Sequence, residues 1–117
     1  MSQTARFQEI LRRLAIFDEG FIETDPGHDL AEILILDPKI AALLQVAVAV
    51  AIGSSAVCLQ WSVARALAAG ASRDEIAEVL LAIGPVAGLG RVVSAAPKVA
   101  TALGYDIEAA LQETDDH

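Results

Sequence analysis

The sequence predicts an all-α fold: a compact helical domain of about five to six helices, assembling as a helical homo-oligomer. Three observations carry the prediction. Apolar residues recur at three- and four-residue spacings along most of the chain, and no segment alternates with a period of two. Glycines, prolines and capping patterns divide those segments at helix-sized intervals. Apolar residues make up 55% of the chain and aromatic ones only 4%, so Ala, Val, Leu and Ile supply the apolar surface, and small side chains let helix backbones approach closely. The chain has 117 residues, the length of a single domain over 1–117. It carries more apolar surface than one small core covers, which points to burial against a second copy.

The elements follow in order. Phe7, Ile10, Leu11, Leu14 and Phe17 set an amphipathic helix over about 4–17, with Gly20 as its stop. The stretch 21–29 reads as a loop, with Asp25-Pro26-Gly27 as a turn. Asp29 and Glu32 fit a capping box that opens a short helix through Ile35. Asp37 before Pro38 is a strong helix start, with aspartate as N-cap and proline at the first helical position. That helix runs to about Ile52 and is apolar nearly all round, so a central place is expected for it. Gly53-Ser54-Ser55 breaks the chain, and the next helix spans about 55–69 with Gly70 behind it. Ser72 and Glu75 form a second capping box, followed by the stripe Ile76, Val79, Leu80 and Ile83. Gly84-Pro85 kinks or ends this helix, and Gly88 and Gly90 mark another break. Val92, Val93, Ala96, Val99, Ala100 and Leu103 give the last major stripe, in which Pro97 implies a kink or a start near Ser94. Gly104 stops it, and a polar tail follows that frays over 112–117.

Charge narrows the function. The net charge of −8 argues against nucleic acid as a partner and against an anionic membrane surface; it fits soluble oligomers that repel one another. The single cysteine, Cys58, allows no intrachain disulfide. The N-terminal segment is amphipathic with no apolar leader, so the cytoplasm is the expected compartment. No charged residue lies between Lys39 and Arg65, a run long enough to span a bilayer. Gly53-Ser54-Ser55 interrupts it, Gln45 and Gln60 lie within it, and alanine dominates it. A buried helix pair is therefore expected, with no membrane partner. His28 and His117 are far apart and make no metal site. Gly84, Gly88 and Gly90 follow no strand, so they form no phosphate-binding motif. No cofactor is expected.

At 100° per residue, Ser55, Cys58, Ser62 and Arg65 fall on one side of their helix, with Trp61 at the edge. This is the only polar stripe in the uncharged centre. Read as a pocket lining, it makes Cys58, Ser62 and Ser55 the candidate catalytic residues and Trp61 and Arg65 ligand contacts, joined by Arg91 after Gly90. Ser62 and Arg65 are close enough on the helix for a small carboxylic acid to bridge them. Cys58 lies in a first helical turn, a setting for a reactive thiol. The plainer readings stand beside these. The stripe faces water, or its hydroxyls bond back to helix carbonyls; Cys58 is a small packed residue; Trp61 is a packing anchor; Arg91 is a surface residue or meets a neighbouring subunit's carboxylate.

From Asp37 to Gly104 the chain resembles the carboxymuconolactone decarboxylase superfamily, which includes the alkylhydroperoxidase D proteins. The resemblance rests on IAALLQVAVAVAIGSSAVCLQWSVARALAAGASRDEIAEVLLAIGPVAGLG, residues 40–90. In that family an apolar helix leads into one carrying Cys-x-x-Cys and then His. A G-A-S-x-x-E-I-A-E-x-L helix and a glycine-rich turn follow. Gly70-Ala71-Ser72 and Glu75-Ile76-Ala77-Glu78-Val79-Leu80 match that pattern. The resemblance implies a homotrimer or homohexamer. It also implies a redox site that is degenerate here: Cys58 falls on the second cysteine position, Ser55 on the first and Ser62 on the histidine. Residues 40–57 hold no carboxylate for the proton relay. A dithiol peroxidase cycle needs a resolving thiol, so that activity does not carry over. The decarboxylase branch dispenses with the cysteine pair but keeps a histidine near Ser62. The expectation is a non-redox enzyme or small-molecule binder acting at the Ser55/Cys58/Ser62/Arg65 face. A catalytically silent oligomeric scaffold is the alternative, and a one-cysteine alkylhydroperoxidase-like antioxidant comes third.

Overall fold

The computed structural model describes residues 3–22 and 35–115, and among them there are seven helices and no strand. α1 (Gln3–Ala15) and α2 (Glu19–Ile22) belong to one compact unit, residues 1–35. α3 (Pro38–Ala51), α4 (Ala56–Ala68), α5 (Arg73–Ala87), α6 (Leu89–Ala102) and α7 (Ile107–Asp115) belong to a second, residues 36–117.

In the first unit, Glu9 accepts hydrogen bonds from Arg12 Nη2 at 2.8 Å and Arg13 Nε at 2.9 Å. These two guanidinium groups, Arg12 first, lower its carboxyl to about 2. α1 stops earlier than its glycine suggests. Phe17 takes the left-handed conformation at φ 57. Its N–H donates to the Leu14 carbonyl, and the Asp18 N–H donates to the Arg13 carbonyl. This paired closure satisfies the last helical carbonyls without glycine, and Gly20 lies inside α2. The helix expected from Asp29 and Glu32 lies outside the described residues.

In the second unit, α3 through α6 pack together, with α3 against each of the other three. α3 buries Ala42, Val46, Ala49 and Val50, the spacing that places residues on one face of a helix. Leu59 and Val63 of α4, Ile76 of α5 and Val99 of α6 close on them. Ala49, Ala66 and Ala95 are buried among these side chains, and their small size lets the helices approach. The opposite side of α3 is apolar too: Ile40, Leu44, Val48 and Ile52 form an exposed stripe. α3 is thus central to its unit, as its composition predicts, and the described residues of that unit cover one of its sides.

Local chemistry sets the helix ends. The Lys39 N–H donates to Asp37 Oδ1 at 2.8 Å, with Pro38 opening α3. Ser72 Oγ accepts from the Glu75 N–H at 3.0 Å while Glu75 Oε1 accepts from the Ser72 N–H at 2.9 Å, the reciprocal capping box. Lys39 Nζ and Glu75 Oε2, 3.0 Å apart, tie the starts of α3 and α5 together. α3, α4 and α6 each end at a glycine of positive φ, Gly53, Gly70 and Gly104.

Two open alternatives close, and one expectation needs correcting. α5 does not end at Gly84-Pro85 but runs to Ala87, and α6 begins at Leu89, not near Ser94, and passes through Pro97. Each proline deprives the carbonyl four residues earlier of its donor, and those residues, Leu81 and Val93, are exposed, where water can take the bond. The tail after Gly104 holds α7, capped by Asp106 Oδ1 accepting from the Ala109 N–H at 3.1 Å. Residues 112–115, expected to fray, belong to that helix. No helix among the described residues is long and apolar enough to cross a membrane.

Candidate functional site

The candidate site is built by the α3–α4 turn. Gly53, at φ 71, reverses the chain after α3. The Gly53 N–H donates to the Val50 carbonyl and the Ser54 N–H to the Ala49 carbonyl. Two residues on, Ser55 Oγ accepts from the Cys58 N–H at 3.3 Å and starts α4. The two helices then run side by side, and a cleft of about 390 Å³ opens between them.

Leu44, Val48 and Ile52 supply one wall of the cleft, and Trp61 faces them from α4. Cys58, Ser62 and Gln45 bring the polar atoms. Ser62 is buried at 6% exposure, whereas Trp61 is 53% exposed. Cys58 is exposed as a free thiol, so it is not a packed core residue. Among the described residues, Gln45 Oε1 is buried without any hydrogen-bond partner. A buried acceptor left unpaired costs about 1–3 kcal/mol.

Of the residues picked out by helical spacing, Cys58, Trp61 and Ser62 do come together in this cleft. Ser55 does not line it; its hydroxyl is engaged in capping α4. Arg65 does not line it either. Its guanidinium carbon sits 4.8 Å from the centroid of the Trp61 ring, within reach of a cation–π contact. The expected bridge from Ser62 to Arg65 through a carboxylate is therefore not presented in the cleft wall. Arg91 lies elsewhere, in a second cavity on α6. Gln45 is the residue that helical reasoning about α4 missed. The signal was present: Leu44, Val48 and Ile52 follow one another at one-turn spacing along α3 and its C-cap, and Gln45, next to Leu44, is the polar residue beside them.

This arrangement limits the chemistry. No histidine, carboxylate or cation lines the cleft among the described residues, so it offers no general base suited to neutral pH. It offers an apolar bed, an amide, two serine hydroxyls and one thiol. Position 55, where a second thiol would complete a disulfide, holds the capping serine. Among the described residues no three His, Cys, Asp or Glu side chains gather as a metal site.

The model of the carboxymuconolactone decarboxylase family matches residues 29–102, more than half of the chain and the whole of α3 to α6. Neither the curated proteins nor the solved structures gave a match.

Proposed function

The chain belongs to the carboxymuconolactone decarboxylase family, and from that membership we propose that it is a non-redox member that binds a small molecule in the α3–α4 cleft. The buried, unpartnered Gln45 Oε1 carries the reading. It calls for a ligand that is mainly apolar, neutral and equipped with one hydrogen-bond donor, such as a hydroxyl or an amide N–H. Leu44, Val48, Ile52 and Trp61 would bed the apolar part, with Ser62 and Cys58 beside the polar end. Ser55 and Ser62, at the positions where the redox branch carries Cys and His, support a reading without a dithiol cycle. A reducing cytoplasm suits a lone exposed thiol.

Self-association is part of the same proposal. The exposed stripe Ile40, Leu44, Val48 and Ile52 fits a second copy better than water. Leu44, Val48 and Ile52 also line the cleft, so a neighbouring subunit laid on the stripe would roof it. A trimer or hexamer is the assembly we propose, measured by light scattering without detergent; a stable monomer contradicts it. A silent scaffold, the second reading, draws on this stripe alone.

Ligand-detected NMR of neutral alcohols, amides and acids against the wild type and Gln45→Leu tests the binding site. Neutral donors should bind the wild type and lose about tenfold or more in the variant, since a hydrogen bond of roughly 1.5 kcal/mol corresponds to that ratio. Equal binding to both proteins sinks the site, and an absence of binders favours the silent scaffold.

A further inference from the structure

A second cavity, of about 450 Å³, lies beside the same Gly53-Ser54 turn, and Arg91, Ser94 and Lys98 of α6 face it. These three are three and four residues apart, so one face of α6 presents them all. The chain has 16 acidic and 8 basic residues. Two of those 8 nevertheless meet one cavity whose lining holds no Asp or Glu. Elsewhere Lys39 pairs with Glu75, Arg12 and Arg13 pair with Glu9, and Arg65 lies over Trp61. Arg91 and Lys98 have no hydrogen-bond or ion-pair partner among the described residues. Gly53 makes room for the arrangement, because a Cβ on it would collide with the Arg91 guanidinium. The exposed Arg91 side chain lies over the turn, and Ser54 lines the same cavity.

We propose that this cavity binds the phosphoryl group of a small molecule or free phosphate. Two cations match a group of about −1.5 to −2 charge better than a single carboxylate. The guanidinium fork, the ammonium and the hydroxyls of Ser54 and Ser94 together offer more donors than one carboxylate can accept from, and a phosphoryl group adds a third acceptor oxygen. The donors are side chains, so no glycine-loop motif announces them in the sequence. Its two cations are absent from the cleft, and it uses neither Gln45, Cys58, Trp61 nor Ser62, although Ala49 and Ser54 line both.

Titration calorimetry of the whole chain with inorganic phosphate, at ionic strength fixed with potassium chloride, tests the proposal. Saturable binding is expected, weakened about tenfold or more by Arg91→Gln and several-fold by Lys98→Gln. Arg73→Gln, outside the cavity lining, should leave it unchanged. Glycerol phosphate binding more tightly than inorganic phosphate identifies a phosphorylated small molecule; the reverse identifies the free ion, and either supports a phosphoryl site. Phosphate heat no larger than that of chloride, affinity indifferent to both Arg91→Gln and Lys98→Gln, or malonate binding as tightly as phosphate overturns it.

Discussion

The two cavities flank one turn and share Ala49 and Ser54 in their walls, yet their chemistry is opposite. On the α4 side the wall is apolar, with a thiol, an indole, two serine hydroxyls and an amide whose oxygen is unpaired among the described residues. On the α6 side it holds two cations and serine hydroxyls. α3 and the turn contribute to both, so the difference comes from the helix that faces them. The common scaffold fixes where the openings lie, and one face of a neighbouring helix decides what each can hold.

The largest effect is expected at the shared turn. Gly53→Ala forces a Cβ into the left-handed region and against the Arg91 guanidinium. Urea unfolding should show a loss of about 1–2 kcal/mol, and phosphate binding should weaken because Arg91 must move. Unchanged stability would break the claim that this turn underlies both sites.

Arg65→Ala separates the two regions. It removes the cation over Trp61, worth about 0.5–1 kcal/mol at an exposed site. Binding in the α3–α4 cleft should fall by a few-fold while phosphate binding stays as it was. A loss of both would show that Arg65 acts on the fold as a whole.

The smallest effect serves as the control. The Ser72 N–H and the Lys39 ammonium lower the Glu75 carboxyl from its ordinary value. Its folded pKa lies below the unfolded one, so its contribution is present above the unfolded value and is lost as pH falls through the folded value. Lys39 is raised by Glu75; its contribution is present below its unfolded value and is lost as pH rises through the folded one. Stability attributable to this pair is therefore flat around neutrality and falls at both extremes. Glu75→Gln should flatten the acid limb of a melting-temperature profile and leave both ligands' affinities intact. An acid limb identical to that of the wild type would contradict the assignment.

Much of this fold is legible in the sequence because its signals are local. Asp37-Pro38 and the Ser72/Glu75 box each act within one helical turn, and each starts the helix it predicts. Pro85 and Pro97 leave a kink or a helix boundary open in the sequence because their cost depends on which carbonyl loses its donor and whether water reaches it. That is a property of the packed molecule. α7 escapes notice because a polar segment hides the Asp106 cap. Within the site, Cys58 and Ser62 are found together because one turn separates them. Ser55 drops out because the oxygen that suggests chemistry is the one that caps the helix. The place of Arg91 depends on Gly53, distant in the chain, and no spacing rule links them.

Trp61 is the only tryptophan and it lines the cleft alone, not the basic cavity. Its fluorescence therefore reports on one region and not the other. The central claim is that the α3–α4 cleft is the binding site for a neutral, mainly apolar ligand. Titrating the best neutral binder should shift Trp61 emission saturably, and Gln45→Leu should move the midpoint about tenfold higher, as one lost hydrogen bond of roughly 1.5 kcal/mol implies. Phosphate at saturation should leave the emission unchanged. A neutral ligand that binds without any change at Trp61, or whose midpoint is the same in Gln45→Leu, would place the binding site elsewhere and contradict the account.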